Sequence, residues 1–131
     1  MSMEEFINEF GIGTDIESIS RFAGPECVQN SPFLNKIFTA NEQEYCFSMA
    51  EAAPHLAARF AGKEAVIKAL TSTGRTNISY INIEIFNNED GVPEVKISKA
   101  GLGGLLVKLS LSHCLDQAIA FAVVIESGMP M

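Results

Sequence analysis

Basic residues are scarce in this chain. Nine lysines and arginines stand against sixteen aspartates and glutamates over 131 residues, a formal net charge of −7. Non-specific binding to nucleic acid or to an anionic membrane needs the opposite balance, so neither partner is expected. Metal-ligating residue types are thin as well. Two histidines, and three cysteines (Cys27, Cys46 and Cys114) with no Cys-x-x-Cys pair, offer no plausible zinc set. The odd number and wide spacing of the cysteines suit a reduced, cytoplasmic setting. Long apolar runs are also missing: the longest, Ala118 to Ile125, falls far short of the roughly 20 residues of a membrane-spanning helix. The opening Met1-Ser-Met-Glu-Glu-Phe6 has neither the basic patch nor the apolar core of a secretory signal. There is no P-loop, no Gly-x-Gly-x-x-Gly, no defensible Ser/His/Asp ordering, and no repeat or low-complexity segment.

What the chain does have is apolar content. At 47% hydrophobic and 19% charged residues it can bury a core as a single domain over residues 1–131. Phe10, Ile12, Thr14 and Ile16 alternate with Gly11, Gly13, Asp15 and Glu17, which predicts a strand from Glu9 to Asp15 with close approach at the glycines. A short helix over Ile16–Phe22 should follow, ended by Gly24-Pro25, and residues 25–37 read as a connection. Thr39-Ala-Asn-Glu42 fits a capping box, opening a helix from about Ala40 to Glu51. A second, longer helix starts near Pro54 or His55 and stops at Thr71–Gly74. Ile81, Ile83 and Ile85 predict a strand that turns through Asn87–Gly91 and returns over Val92–Ile97 as a hairpin. Leu105–Leu111 alternates as another strand, and Ala118–Glu126 reads as a central one. The class is α+β, with helices packed on a mostly antiparallel sheet.

The long helix carries a contradiction. Leu56, Phe60, Ile67 and Leu70 fall on one arc, and Ala57, Ala61 and Ala65 extend the apolar surface around the back, so most of it should be covered. Yet Arg59, Lys63, Glu64 and Lys68 lie on it, and unpaired buried charge is costly. Either these charges pair among themselves, Glu64 with Lys68 at the favourable i,i+4 spacing, or something charged binds there. Asp15 at a strand end, together with Glu64, could hold one Mg²⁺, which takes hard oxygens from few carboxylates and completes its shell with water and phosphate. Alternatively Asp15 caps the following helix and Glu64 pairs with Lys68 or Lys63. Arg59, Lys63 and Lys68 form the densest basic cluster, suited to an anionic ligand such as phosphate, or else they are side chains snorkelling from a helix edge. His113, ending a strand after Ser110-Leu-Ser112, is either a phosphate donor or a turn histidine. His55 reads as a surface residue, and the cysteines as small core residues.

In combination these stretches resemble a known family. Gly11-Ile-Gly-Thr-Asp15-Ile16 is similar to the GxGxDI opening of the holo-acyl-carrier-protein synthases. Phe38-Thr-Ala-Asn-Glu42 resembles that family's helix start, and Arg59-Phe-Ala-Gly-Lys63-Glu64-Ala-Val-Ile-Lys68-Ala-Leu70 its RFAxKEAxxKA signature. Ser110-Leu-Ser-His113, followed by Ala120-Phe-Ala-Val-Val124, stands where the family has S-x-S-H and a closing strand. The resemblance covers Gly11 to Glu126, in order. It implies a phosphopantetheinyl transferase fold and a Mg²⁺-dependent transfer of 4′-phosphopantetheine from coenzyme A to a serine of an apo acyl carrier protein, within fatty acid and lipid metabolism. Asp15 and Glu64 would be metal ligands and Lys68 would sit on the phosphates. Arg59, Phe60 and His113 would line the nucleotide site, with Arg21 a contact to the carrier. A homotrimer with sites between neighbours is implied as well. Glu17 would be either a third ligand, as in the Asp-x-Glu pair of larger relatives, or a residue facing solvent, the second being preferred. Lys63 is expected in a subunit contact or a structural ion pair. Two features depart from the family: Thr71-Ser-Thr-Gly74 replaces the usual Gly-Thr-Gly, and the chain is acidic where the carrier-facing surface tends to be basic. A catalytically weak homologue, binding a carrier or assembling with a synthase, is the alternative.

Overall fold

The computed structural model describes residues 10–126. Its organising contact is between strand β1 (Phe10–Ser18) and the long helix α3 (Ala52–Ser72). β1 turns its glycines inward, and a Cβ on Gly13 would stand 2.0 Å from the Ala65 carbonyl oxygen. No side chain fits there, and this is the close approach that the Gly-Ile-Gly stretch predicts. β5 (Gln117–Glu126) continues the same floor with Ala118, Ala120, Ala122 and Val124, all buried. Ala57, Ala61, Ala65 and Ala69 meet it from the helix side. Small residues on both surfaces let the helix lie close to the sheet, while Leu56, Val66 and Leu70 fill the flanks, at about 1.5–3 kcal/mol for each buried side chain.

β5 is the central strand, as expected, of an antiparallel sheet ordered β1-β5-β4, with β4 spanning Leu105–His113. β2 (Ile83–Asn87) and β3 (Pro93–Ile97) form the separate antiparallel hairpin. Its turn is fixed by the Asn88 side chain, which accepts from the Asp90 and Val92 N–H groups, and by Gly91 at φ 78°. One end of the core is aromatic, built from Phe22, Phe38 and Phe60; the other is aliphatic, around Val66, Leu70, Ile83 and Ile85.

Several boundaries differ from the sequence expectation. β1 runs on to Ser18 because β5 keeps pairing with it as far as Ser18↔Gln117, so Asp15 lies in mid-strand and only Ile19–Phe22 coils, as a 3₁₀ turn. Glu9, where the strand was expected to start, lies outside the described residues. The connection over residues 25–37 contains a one-turn helix α1 (Pro32–Asn35), capped by the Ser31 hydroxyl. α2 (Ala40–Phe47) starts with the expected Thr39–Glu42 capping box but ends before Glu51, because α3 begins at Ala52 and the chain must turn first. Pro54 therefore sits within the first turn of α3, and Gly74 at φ 90° follows its end. Ile81 belongs to a 3₁₀ turn (Tyr80–Asn82) rather than to β2, and β4 extends past Leu111 to His113.

The opposite face of the large sheet is apolar and open on the single chain. Ile12 and Ile16 are each 56% exposed, and Phe10, Ile119, Phe121 and Leu106 are exposed beside them. The register makes Ile16 and Ile119 direct cross-strand partners, and Phe10 and Ile125, so the patch runs continuously across the strands. No helix among the described residues is long and apolar enough to cross a membrane.

Candidate functional site

The alternation that turns Gly11 and Gly13 onto α3 also turns Asp15 and Glu17 to that side. Asp15 thereby meets Lys68: the ammonium lies 2.9 Å from Asp15 Oδ1 and also donates to the Thr14 carbonyl at 3.0 Å. Phe60, Glu64 and Lys68 share one stripe of α3 at four-residue spacing. Glu64 accepts a hydrogen bond from the Tyr80 hydroxyl. The i,i+4 pairing of Glu64 with Lys68 is therefore not made, since each has found a partner from another element. Nor does Asp15 cap a helix, because it lies within a strand.

Around this centre the side chains form a row. Glu17 does not face solvent as preferred above; its side chain is 14% exposed and pairs with Arg21 at 3.0 Å. Arg21, half exposed, lies over the Phe60 ring at 5.0 Å. Phe60 is itself buried, packed on Tyr80 with ring centroids 5.3 Å apart, so it forms the floor beneath Arg21 and Tyr80 rather than an open wall. The bond to Glu64 and, after it, burial push the Tyr80 phenol up to about 12. It is a neutral hydrogen-bond donor at physiological pH.

Among the described residues no group of three or more His, Cys, Asp or Glu is placed to hold a metal. Asp15 and Glu64 are two oxygen-bearing groups on facing elements. That is the kind of donor set suited to Mg²⁺, which takes one or two carboxylates and leaves the rest of its shell to water and phosphate. The carboxylate of Asp15 already receives a cation, the Lys68 ammonium, so its orientation suits positive charge.

Of the remaining predicted residues, Arg59 lies on a different stripe of α3 and His113 on β4. Arg59 is buried, its guanidinium 4.0 Å from the centre of the Tyr45 ring, and its Nε and Nη2 have no hydrogen-bond partner among the described residues. It lines a cleft of about 290 Å³ with Asn41, Tyr45, Ile85, Phe86 and Asn87. A buried guanidinium with two unspent donor nitrogens is suited to receive an anion. His113, exposed at the end of β4, lies 5.9 Å ring to ring from His55, which in turn sits edge-on to Tyr45. His55 is thus half-buried and not a plain surface residue. Burial, then the neighbouring His113 and Arg59, lower its imidazole below the usual value.

Lys63 is resolved as a structural ion pair. Its ammonium, fully buried, lies 2.8 Å from Glu42 Oε1 and also donates to the carbonyls of Tyr80 and Ile83. Burial lowers its amine below the usual lysine value, against the pull of Glu42. Cys46 is a core residue, its thiol pushed up to about 12 by burial, whereas Cys114 is exposed, against expectation.

The sequence-predicted residues therefore fall into two groups: Asp15, Glu64 and Lys68 with Arg21 and Phe60, and Arg59 with His113. The structure adds Tyr80 to the first group, and Tyr45 and His55 to the second. Tyr45 lies one turn into α2 with no charge pattern to mark it, and Tyr80 stands in a segment with no helical or strand period.

A family model described as the 4′-phosphopantetheinyl transferase superfamily matches residues 11–122. The chain is 44% identical, over 121 residues, to the holo-[acyl-carrier-protein] synthase of Protochlamydia amoebophila, an alignment covering 86% of this chain and 95% of that protein. It is 46% identical, over 114 residues, to the holo-[acyl-carrier-protein] synthase of Thermodesulfovibrio yellowstonii, covering 87% and 96%. Among solved structures, it superposes on the Helicobacter pylori holo-[acyl-carrier-protein] synthase in complex with coenzyme A with a TM-score of 0.72 and 30% identity, covering 86% of this chain and 98% of that one.

Proposed function

The chain belongs to the 4′-phosphopantetheinyl transferase superfamily, among its holo-[acyl-carrier-protein] synthases, and from that premise we propose how its own residues carry the reaction. It transfers the 4′-phosphopantetheine of coenzyme A to a serine of an apo acyl carrier protein, releasing adenosine 3′,5′-bisphosphate. The reaction is one phosphoryl transfer: the serine oxygen bonds to phosphorus while the pyrophosphate bridge breaks and the bisphosphate departs. The observation that carries the residue assignment is the meeting of Asp15, from β1, with Lys68, one turn from Glu64 on α3.

Asp15 and Glu64 would hold Mg²⁺, which when bound neutralises the pyrophosphate and orients it for in-line attack. The Lys68 ammonium, half exposed beside Asp15, is in position to exchange part of that contact for a phosphate oxygen. Arg59, with its unspent N–H groups, and His113 are assigned to the nucleotide, where one fixed guanidinium and a nearby imidazole favour an anionic group. Phe60 supports the Arg21 and Tyr80 side of the site from beneath. Arg21, half exposed beside the site, is assigned to the incoming carrier; its contact with Glu17 is a surface pair of small energetic weight and easily exchanged. The serine proton has the carboxylates as candidate acceptors. The free cysteines and the substrates suit a cytoplasmic enzyme, with one transferase domain over residues 1–131.

We also infer a homotrimer. The open apolar face of the large sheet supports it, because Phe10, Ile12, Ile16, Ile119 and Phe121 form a patch that a soluble single chain would rarely leave uncovered. Light scattering should give the mass of three chains, and Ile16→Lys, placing charge within that patch, should shift the population towards single chains. A single-chain mass for the active wild-type enzyme would overturn the trimer.

The test of the reaction is direct. Incubated with Mg²⁺, coenzyme A and an apo carrier, the enzyme should raise the carrier's mass by one phosphopantetheine on intact-protein mass spectrometry. Omitting the metal or chelating it should stop the increase. Transfer undiminished in excess chelator would remove Mg²⁺ from the proposal, and no transfer to any carrier tested would favour the weak, carrier-binding homologue.

A further inference from the structure

We infer that Tyr80 is a positioning residue for Glu64, its hydroxyl holding the carboxylate in the orientation a divalent cation requires. The inference rests on the Asp15–Glu64 metal reading above and adds to it a residue from outside the motif stretches. Lys63 and Glu64 are adjacent on α3, about 100° apart around its axis, and they take opposite ends of the same tyrosine. The Lys63 ammonium donates to the Tyr80 carbonyl at 2.9 Å, while Glu64 Oε1 accepts from the Tyr80 hydroxyl.

The backbone end is firmly anchored. Lys63 is held by Glu42, whose carboxylate also accepts from the Thr39 N–H at 2.9 Å and the Ile85 N–H at 2.8 Å. The 3₁₀ turn carrying Tyr80 is closed by Ser79 and Asn82, the Asn82 Oδ1 accepting from both the Ser79 N–H and its hydroxyl at 2.9 Å. The Tyr80 ring then rests on Phe60, and a phenol oxygen lies on the ring's own axis, so rotation of the ring does not displace it. Glu64 has three rotatable bonds and stands at the half-buried edge of α3. Left alone, it would sample several orientations.

The bond is suited to a metal ligand in two further ways. It occupies Oε1 and leaves Oε2 free of protein partners among the described residues. The phenol is neutral, so it orients the carboxylate without cancelling the charge an ion needs, unlike the ammonium beside Asp15. Hydrogen bonds of this kind to ligating groups typically change metal affinity or activity by about 10–100-fold when removed.

The experiment is Tyr80→Phe, which keeps the ring and deletes the oxygen. Titration of Mn²⁺ into the coenzyme A-bound enzyme, followed by the electron spin resonance of the free ion, should show binding weakened by about 10–100-fold. Melting without metal should be nearly unchanged, and transfer lost at low Mg²⁺ should recover at high Mg²⁺. In a Glu64→Gln background the same substitution should cost no further Mn²⁺ affinity. Wild-type Mn²⁺ affinity in Tyr80→Phe would overturn the positioning role and leave the metal reading standing. So would an undiminished effect of the substitution when Glu64 is already glutamine. Absence of Mn²⁺ binding by the wild-type enzyme would overturn the metal reading itself, and the inference with it.

Discussion

Lys63→Met should destabilise the fold by about 3–5 kcal/mol, the usual cost of removing one member of a buried ion pair. The ammonium it deletes serves three acceptors at once, Glu42 and the carbonyls of Tyr80 and Ile83. Methionine fills similar volume, so the loss is not a cavity. It is the stranding of a fully buried carboxylate and two carbonyls without their donor. Glu42 keeps its bonds from the Thr39 and Ile85 amides, which softens the loss. The control is the double variant Glu42→Gln with Lys63→Met. It removes both charges and should recover part of the stability, since a neutral pair of similar shape can replace a buried ion pair at little cost. Urea denaturation of the three proteins measures both quantities. Equal midpoints for wild type and Lys63→Met would show that the network holds nothing together. Activity is expected to suffer in the single variant beyond the loss of folded protein, because Tyr80 is freed at its carbonyl end.

The comparison of α3 with its surroundings shows why part of this was legible and part was not. The helix, its burial and its stop at Thr71–Gly74 follow from local pattern, as do the capping box at Thr39 and the close approach at Gly13. What local pattern does not contain is the partner of each charge. The i,i+4 rule offers Lys68 to Glu64, but tertiary packing brings Asp15 to Lys68 from 53 residues away and Tyr80 to Glu64 from 16. Lys63 likewise finds Glu42 on another helix. The length of β1 escaped for the same reason: its last residues are held by pairing with β5, and nothing within Ile16–Phe22 announces that strand. From the sequence His55 reads as a surface residue because the elements that cover it, Tyr45 on α2 and His113 at the end of β4, come from either side of it in the chain. Motif resemblance proposes Asp15, Glu64, Lys68, Arg59 and His113 because each lies inside a recognisable stretch, and it says nothing of Tyr80, which does not.

Glu64→Gln should abolish transfer and leave the fold intact. Glutamine has the shape of glutamate, and its carbonyl oxygen can still accept from the Tyr80 hydroxyl, so the side chain has no reason to leave its place. Only the charge goes. As the site stands, the Lys68 ammonium pairs with Asp15 while Glu64 has only the neutral Tyr80 hydroxyl, leaving one unit of negative charge to attract a divalent cation. With glutamine at 64, Asp15 and Lys68 neutralise each other and that attraction disappears. A bound divalent ion contributes several kcal/mol to stabilising a phosphoryl-transfer transition state. At about 1.4 kcal/mol per factor of ten, its loss corresponds to a rate at least about a thousandfold slower. Melting temperature in the absence of metal should move little, since substitution at a half-buried edge position that keeps its hydrogen bond typically changes stability by about 0.5 kcal/mol or less. The time course of carrier mass reads the rate, and Mn²⁺ binding reads the ion independently of turnover. Slow transfer with normal Mn²⁺ affinity would move Glu64 from metal ligand to another role in the reaction, with acceptance of the serine proton the next assignment to test. A wild-type rate would remove Glu64 from the site and leave a single carboxylate already neutralised by its lysine, which is too little charge to hold the ion there.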